Sequence, residues 1–383
     1  MIDRAYRKLL DSKLANNPAV ALLGPRQCGK TTLAKTLGGN YFDMENEGSV
    51  LRLDVEWHSV VGGQDLVVLD EVQRVPEIFS RLRGAIDADR KRNGRFLLLG
   101  SVSPAIMRGV SESLAGRLGL LSMGPLAFVE LLDALGHRCL DALWLRGGFP
   151  DGGILDAGRF PEWEEDYLEI LSTRDLPDWG FPAKPQKTKR LLAMLAAMHG
   201  QPQNASEIAA SMGLDHKTIL GYCDFLEETF LIRRLRPWVT NIGKRLVKTP
   251  RIYWRDTGLL HALLHVRNLE HLYSLPIAGY SWEGFVIEQI LNTLKLYNIP
   301  AEPYFFRTSD GMESDLVLDF AGELWAIEIK LTSNPTSSMV NGLRKAADLV
   351  KATRRILICK TEDELKTDDL LVTNLPQFLK SLL

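Results

Sequence analysis

Apolar and polar positions in the N-terminal third of the chain form short, fully apolar runs separated by longer amphipathic stretches. The apolar runs are Val20–Leu23, Leu66–Leu69 and Phe96–Leu99. Runs without polar residues are typical of strands that are covered on both faces of a parallel sheet. The amphipathic stretches between them predict helices, so this part of the chain is expected to form an α/β unit.

A glycine-rich turn follows the first apolar run. Residues Gly24–Thr31 match the pattern G-x-x-x-x-G-K-[ST] in full, and a helical pattern continues from them. In this motif backbone N–H groups surround the β-phosphate of a nucleotide, the lysine reaches the β- and γ-phosphates, and the hydroxyl is a ligand of Mg²⁺. The predicted ATP contacts are Gly24, Pro25, Arg26, Gln27, Cys28, Gly29, Lys30, Thr31 and Thr32.

The second apolar run ends in two carboxylates, Asp70 and Glu71. Beside a P-loop, the first of two such acids supports Mg²⁺, usually through water, and the second polarises the attacking water. We therefore predict that Thr31 and Asp70 hold the metal, and that Lys30 and Glu71 act in ATP hydrolysis. The alternative is a strand that merely ends in a solvated acidic turn.

Composition limits the class of protein. The chain has 383 residues, 45% apolar and 25% charged, which is ordinary for a globular protein of two or three domains. Its 46 basic and 48 acidic residues nearly cancel. Any attraction to nucleic acid must therefore come from a local basic surface.

Cysteine usage and hydropathy predict the cellular location. The cysteines Cys28, Cys139, Cys223 and Cys359 form no C-x-x-C pair, which argues against a disulfide framework and against a structural zinc site. The charged N-terminus lacks the apolar core of a signal peptide, and no apolar run approaches the roughly 18 residues of a membrane helix. We expect a cytoplasmic protein with no membrane partner.

Four motifs, in order along the chain, resemble those of a known family. They are GPRQCGKTT from Gly24, LDEVQRVP from Leu69, LLLGSVSP from Leu97, and SLAGR from Ser113 followed by PLAF from Pro125. Together they resemble a bacterial and archaeal family of AAA+-type ATPases that carry a C-terminal domain of unknown function. The resemblance covers essentially the whole chain.

This resemblance implies roles for further residues. Ser101 or Ser103 corresponds to a polar sensor beside the γ-phosphate. Arg117 corresponds to an arginine finger that completes the ATP site of a neighbouring subunit, which requires a homo-oligomer, with a hexameric ring favoured. The alternative for Arg117 is a surface arginine that caps a helix. Arg26 is typical of the family, but we assign it no role beyond its place in the loop.

The middle of the chain predicts a helical lid followed by a winged helix. The lid is implied by the resemblance. Beyond residue 185 the sequence shows three helical patterns at helix-turn-helix spacing, and then two strand patterns on either side of a turn at 241–245. Helices in this order, followed by a strand–turn–strand, predict a winged helix.

The predicted wing is basic. Between Thr229 and Arg255 the sequence has eight basic residues and no acidic residue, which is the local positive surface that phosphate contacts need. Possible DNA contacts are Lys217, Arg233, Arg234, Arg236, Lys244 and Arg245. Two other interpretations stay open: a protein docks on the winged helix, or the basic strands face carboxylates of a neighbouring domain. The acidic end of the third helix is unfavourable for a groove binder.

The C-terminal third has the residue spacing of a nuclease-like site. Asp315 and the motif Glu328-x-Lys330 are separated by twelve residues and lie on predicted neighbouring strands, as in PD-(D/E)xK folds. There, two carboxylates hold Mg²⁺ against a phosphate and the lysine orients water. The resemblance adds Glu283 from the preceding helix. The alternative is a docking or DNA-binding platform that does not cleave nucleic acid.

The predicted architecture is α/β in four parts. These are a P-loop AAA+ ATPase sheet (1–125), a helical lid (126–184), a winged helix (185–258) and an α/β restriction-endonuclease-like domain (259–383). ATP and Mg²⁺ are the expected cofactors. We favour an ATPase that remodels a partner, with DNA as the leading candidate. The alternatives are a nucleotide-regulated docking protein that does not bind DNA, and an ATP-gated, Mg²⁺-dependent nuclease.

Overall fold

The computed structural model describes residues 2–101, 114–239 and 246–383. Ser103, Lys244 and Arg245 lie outside these ranges, as does the turn predicted at 241–245. Ser101 is the last residue of the described strand Phe96–Ser101.

A sheet of five parallel strands confirms the predicted N-terminal α/β unit. Its strands are β1 (Ala19–Gly24), β2 (Asn40–Asp43), β3 (Val67–Asp70), β4 (Phe96–Ser101) and β5 (Leu118–Ser122). They are ordered β2-β3-β4-β1-β5, so the three apolar runs of the sequence are the three central strands. The edge strands β2 and β5 have mixed burial, which explains why their sequences are less apolar.

Helices cover both faces of this sheet. They are α1 (Tyr6–Asn16), α2 (Lys30–Lys35), α3 (Glu47–Gly62) and α4 (Ile78–Ala88). Alternate residues of β1 point to opposite faces, as the pleat of a strand requires. Leu22 packs in one core with Leu10 of α1, and Ala21 packs in the other core with Leu82 of α4.

Further helices occupy the region predicted as a lid. They are α5 (Phe128–Leu135), α6 (Cys139–Arg146), α7 (Glu162–Ile170) and α8 (Leu176–Asp178), with a π-helical segment Leu171–Asp175 between α7 and α8. Tyr167 and Leu171 are buried in the same core as β1 and α1. Helices α7 and α8 are therefore packed against the face of the N-terminal sheet on which α1 also lies, whereas α5 and α6 are buried in the core of the C-terminal sheet.

Three helices and a hairpin form the region predicted as a winged helix. The helices are α9 (Pro185–Ala197), α10 (Ala205–Met212) and α11 (His216–Glu228). Asn204 and Asp215 cap α10 and α11 by accepting backbone hydrogen bonds at 3.2 and 2.9 Å. The antiparallel hairpin consists of β6 (Ile232–Pro237) and β7 (Arg251–Trp254). However, β6 also pairs in parallel with β8, so the hairpin extends the C-terminal sheet.

This C-terminal sheet has eight strands in the order β12-β13-β11-β10-β9-β8-β6-β7. The later strands are β8 (Glu302–Arg307), β9 (Glu313–Phe320), β10 (Glu323–Ile329), β11 (Arg354–Ile358), β12 (Leu365–Lys366) and β13 (Leu370–Thr373). The helices are α12 (Thr257–Leu263), α13 (Leu269–Ser274), α14 (Ala278–Leu296), α15 (Ser337–Val350) and α16 (Leu375–Ser381). Helices α14 and α16 cover one face and α15 covers the other. The domain boundary that the sequence predicted at residue 258 therefore falls between two strands of the same sheet.

Helix α14 connects the two sheets. Most of its length packs on the C-terminal sheet, whereas Leu296 at its end is buried in the core of the N-terminal sheet. The Gln289 side chain accepts a hydrogen bond from the backbone N–H of Phe128 (2.7 Å), and the Lys295 ammonium contacts the Ser122 hydroxyl. Of the helices in the described ranges, α14 included, none is both long and apolar enough to pass through a bilayer.

Candidate functional site

The P-loop joins β1 to α2 and depends on its two glycines. Gly29 has a φ angle of 98°, in the left-handed region that side chains disfavour. A Cβ atom on Gly24 would lie 2.1 Å from the carbonyl oxygen of Met123, so no larger residue fits there. Gly24 is paired with Ser101, which places the end of β4 directly beside the loop.

Lys30 is held within the P-loop. Its ammonium donates hydrogen bonds to the carbonyl oxygens of Gly24 (3.0 Å) and Pro25 (2.9 Å), and the residue is buried. A buried cation is stable only with compensating polar partners or negative charge. The carbonyls of Gly24 and Pro25 provide such partners here.

Asp70 lies opposite the loop at the end of β3. Its Oδ2 atom accepts hydrogen bonds from the hydroxyls of Thr31 and Tyr41, both at 2.7 Å, and its Oδ1 atom accepts one from the backbone N–H of Glu71 (3.0 Å). The hydroxyl and carboxylate oxygens of Thr31 and Asp70 are hard ligands of the kind that Mg²⁺ binds together with phosphate oxygens and water. The donor set therefore fits the expected metal.

Glu71 shares a cavity with the P-loop. Its backbone is left-handed (φ 51°), and the Gln73 amide donates a hydrogen bond to its carboxylate. The cavity has a volume of about 350 Å³ and is lined by Ile2, Arg4, Gln27, Gly29, Lys30, Thr31, Thr32, Glu71, Leu126, Pro150, Asp151 and Leu155. A non-glycine residue in this strained conformation is frequent at functional sites.

A larger cavity of about 600 Å³ adjoins the first one. Ile2, Arg4 and Thr32 line both cavities. The larger cavity is otherwise formed by the N-terminal segment, by α2 and α5, and by Leu296 and Tyr297 from the end of α14. The N-terminal segment and the end of α14, which packs mainly on the C-terminal sheet, therefore meet beside the P-loop.

Arg4 and Tyr41 belong to this site but have no motif that could identify them. The buried Arg4 guanidinium donates to the Cys28 and Gly124 carbonyls and forms an ion pair with Glu130 (2.8 Å). Burial and the hydrogen bond to Asp70 raise the pKa of Tyr41, so this phenol stays protonated and donates to Asp70. The positions of both side chains are set by contacts between elements that are distant in sequence, so no local motif indicates them.

Arg26 connects the P-loop to the helical region. Its guanidinium pairs with Asp175 of the π-helical segment (2.7 Å) and with Glu45 (3.3 Å). Asp175 is buried and also pairs with Arg174. This arrangement gives Arg26 a structural role that was not assigned from the sequence.

Arg117 is paired within its own chain. It forms a two-pronged ion pair with Asp87 of α4, at 2.7 and 3.0 Å, and donates to the Ala115 carbonyl. The Asp87 contact raises the pKa of Arg117, which stays charged. The finger role in a neighbouring subunit stays a prediction.

Two of the predicted DNA contacts face carboxylates of the same chain. Arg233 and Arg255 both pair with the buried Glu288 of α14, and Arg234 pairs with Asp224 and Glu227 of α11. Although burial opposes its ionisation, Arg233 and Arg255 hold the pKa of Glu288 below its ordinary value. These pairs argue against Arg233 and Arg234 as phosphate contacts, and they correspond to one of the alternatives left open by the sequence.

Two others, Lys217 and Arg236, are exposed. Lys217 lies in the first turn of α11 and Arg236 in β6. Among the described residues of the predicted DNA-binding set, these two have the most exposed side chains. Lys244 and Arg245 lie outside the described ranges.

The four residues of the predicted nuclease-like site come together. Lys330 lies 2.6 Å from Glu328 and 3.5 Å from Asp315, and Leu316 of β9 is paired with Ile327 of β10, which aligns the two acids. Glu283 of α14 joins them through Arg251, a residue whose part in this cluster the sequence did not indicate. Burial, together with the charge of Asp315, raises the pKa of Glu283 and of Glu328 well above the ordinary range.

Family models match three parts of the chain. An AAA domain matches residues 16–132, a domain of unknown function (DUF8612) matches residues 137–270, and another (DUF4143) matches residues 278–378. The middle match spans the predicted lid and the predicted winged helix together. The first match and the geometry of the P-loop agree on a P-loop ATPase domain of the AAA class.

The solved structures that resemble this chain are distant from it. The Walker-type ATPase PABY2304 of Pyrococcus abyssi is 16% identical and covers 69% of this chain and 96% of its own, with a TM-score of 0.48. A STAND protein with a tetratricopeptide repeat sensor, PH0952 of Pyrococcus horikoshii, is 12% identical, covers 78% of this chain and 47% of its own, and has a TM-score of 0.28. At these TM-scores the likenesses say nothing about function.

Two mycobacterial relatives match over nearly the whole chain. The uncharacterized protein Rv2008c of Mycobacterium tuberculosis is 36% identical over 360 residues, which cover 93% of this chain and 79% of the relative. The uncharacterized protein Mb2031c of Mycobacterium bovis gives the same values. With its AAA-type P-loop ATPase domain followed by two domains of unknown function, the chain belongs to the family of AAA-domain proteins that includes Rv2008c and Mb2031c.

Proposed function

We propose that this chain hydrolyses ATP with Mg²⁺ in the P-loop site and couples the reaction to remodelling of a partner, with DNA as the favoured partner. The observation that supports the reaction is the hydrogen bond between Thr31 and Asp70 (2.7 Å) beside the buried Lys30. It joins the P-loop hydroxyl to the strand-end carboxylate, which are the two protein groups that Mg²⁺ needs in this class of site.

Each residue of the site has a separate task. Lys30 binds the β- and γ-phosphates, and the loop N–H groups bind the β-phosphate. Thr31 and Asp70 hold Mg²⁺, which when bound neutralises charge on the phosphate oxygens. Glu71 accepts a hydrogen bond from the attacking water, and the contact with the Gln73 amide restrains its carboxylate. Tyr41 fixes the orientation of Asp70.

The larger cavity suits the base and ribose of the nucleotide. It adjoins the P-loop cavity at Thr32 and contains about 600 Å³. The side chain of Tyr297 is 47% exposed and lies at its edge. A nucleobase stacked on an aromatic ring gains about 1–3 kcal/mol. The end of α14 would thus contribute directly to nucleotide binding.

An ATPase assay of Lys30→Ala tests the reaction. We expect the rate to fall by on the order of 100-fold or more, because a charge that stabilises the transferred phosphoryl group is removed. Lys91→Ala is the matched control, since Lys91 is exposed and lies outside both cavities. Hydrolysis at the wild-type rate by Lys30→Ala would contradict the proposal.

The partner is tested by measuring ATPase activity with duplex, single-stranded and branched DNA. We expect stimulation by one of them, and binding that weakens with salt and with the double substitution Lys217→Ala and Arg236→Ala. The second candidate function is a nucleotide-regulated docking protein, which the internal pairing of Arg233 and Arg234 favours. Absence of DNA binding at low salt would select this second function.

A homo-oligomeric ring is part of the proposal, with six subunits favoured. In it Arg117 would leave Asp87 and stabilise charge in the ATP site of the next subunit. The mass of the assembly, measured with a non-hydrolysable ATP analogue, tests this arrangement. A monomer under those conditions would contradict the finger role of Arg117.

A further inference from the structure

Six charged side chains meet where β7, α14, β9 and β10 come together. They are Arg251 at the start of β7, Glu283 on α14, Glu313 and Asp315 on β9, Glu328 on β10, and Lys330 directly after β10. We call this set the C-terminal charge cluster. Three of its acids and its lysine are the residues that the sequence predicted as a nuclease-like Mg²⁺ site.

Arg251 lies among the acids of this cluster. One terminal nitrogen is 3.2 Å from Glu283 and 3.5 Å from Asp315, and the other is 2.7 Å from Glu313. The guanidinium also packs 5.0 Å from the ring centre of Phe305. Only 2% of Arg251 is exposed, so its charge is balanced by these carboxylates rather than by water.

Lys330 engages one oxygen of Glu328 and one of Asp315, while Oε2 of Glu328 is buried and has no hydrogen-bond partner among the described residues. Its ammonium is 2.6 Å from one oxygen of Glu328 and 3.5 Å from Oδ2 of Asp315. The same Asp315 oxygen accepts a hydrogen bond from the backbone N–H of Ile329 (2.9 Å), while Oδ1 faces Arg251. Both oxygens of the central acid are therefore occupied by protein cations.

This arrangement does not fit a divalent cation. Mg²⁺ binds oxygen ligands at about 2.1 Å and demands near-octahedral geometry, and a site shared by Glu328 and Asp315 would need Asp315, whose two oxygens Arg251 and Lys330 already contact. A divalent cation bound to Asp315 would also lie next to the Arg251 guanidinium, and the two positive charges would repel each other strongly in this buried site. Within residues 2–101, 114–239 and 246–383, no three His, Cys, Asp or Glu side chains are arranged to hold a metal ion.

We propose that the Arg251 guanidinium takes the place of the divalent cation, so that the C-terminal charge cluster is a metal-free ion-pair centre that fastens the β6–β7 hairpin to α14 and β9. The cluster then has no metal-dependent nuclease activity while Arg251 is in place. This inference is independent of the ATP site, because none of the six residues lines either cavity beside the P-loop.

Mn²⁺ binding to the full-length chain without nucleotide tests the proposal. Mn²⁺ is used because it prefers the same oxygen ligands as Mg²⁺ and its binding is measured by the loss of its free electron paramagnetic resonance signal. We expect the wild type and Asp315→Asn to bind the same number of ions. One more ion on the wild type than on Asp315→Asn would overturn the proposal, and this comparison does not depend on any change to Arg251.

Replacing the arginine gives the complementary test. Arg251→Gln is expected to gain one Mn²⁺ site, and Arg251→Gln combined with Asp315→Asn is expected to lose it. Arg267→Gln is the matched control, because this arginine is exposed and pairs with Glu165 outside the cluster. A folded Arg251→Gln chain with no additional Mn²⁺ site would overturn the proposal. If that variant does not fold, the comparison of the wild type with Asp315→Asn decides.

Discussion

At the scale of single residues, buried acids determine how the stability of this chain responds to pH. Asp256 caps α12 by accepting a hydrogen bond from the backbone N–H of Leu259 (3.1 Å) and another from Gly148 (2.8 Å). Burial raises its pKa from 3.8 to about 6, although these hydrogen bonds partly oppose the shift. The folded state therefore retains this proton to a higher pH than the unfolded state does.

Asp256→Asn tests this linkage. Because the folded-state pKa is raised, the wild type is expected to lose about 3 kcal/mol of unfolding free energy relative to Asp256→Asn as pH rises from about 3 to about 7. Above this pH interval the difference in unfolding free energy between the wild type and Asp256→Asn is expected to stay constant. Urea unfolding of both proteins at several pH values measures it. A difference that does not change between pH 4 and pH 6 would show that Asp256 titrates normally.

Single residues of the candidate sites also differ in whether the local sequence can indicate them. The placement of Lys30, Thr31, Asp70 and Glu71 beside one another was predictable because the P-loop and the acidic strand end lie in short continuous stretches. Arg4 was not predictable, since it reaches the P-loop only after the N-terminal segment and the end of β5 pack together. Arg251 was identified as a basic residue of a wing, and nothing in its local sequence indicates that acids surround it.

At the scale of elements, apolar patterns predicted the strands, but they did not predict how the strands pair. The central strands β1, β3 and β4 were clear because both faces of each are covered. The parallel pairing of β6 with β8 joins segments that are far apart in sequence, and no local pattern specifies such a contact. This pairing brings the basic hairpin against α14 and explains why its arginines have carboxylate partners.

Glu288→Gln tests how the hairpin is held. Glu288 is buried on α14 and pairs with Arg233 in β6 and with Arg255 directly after β7. Removing the carboxylate leaves two partly buried cations without this counter-charge, and a loss of about 3 kcal/mol in unfolding free energy is expected. Glu302→Gln on the exposed end of β8 is the control and is expected to change it by less than about 0.5 kcal/mol. Equal effects of the two substitutions in chemical denaturation would contradict this interpretation.

At the scale of the whole molecule, α14 extends from the C-terminal charge cluster to the ATP site. Glu283 near its start belongs to the cluster, Glu288 holds the hairpin, and Leu296 at its end lines the larger cavity. A helix of 19 residues spans about 28 Å, so one rigid element contacts the C-terminal charge cluster, the hairpin and the larger cavity.

Tyr297→Ala tests whether the C-terminal part of the chain contributes to the ATP site. If the ring stacks on the base, its removal is expected to raise the KM for ATP by about 5- to 100-fold with little change in kcat, because stacking contributes equally to the ground and transition states. Tyr297→Phe keeps the ring and is expected to retain the wild-type KM. Tyr280→Ala, at the other end of α14, is the control for general damage to the helix. An unchanged KM in Tyr297→Ala would place the base elsewhere and would leave α14 without direct contact to the nucleotide.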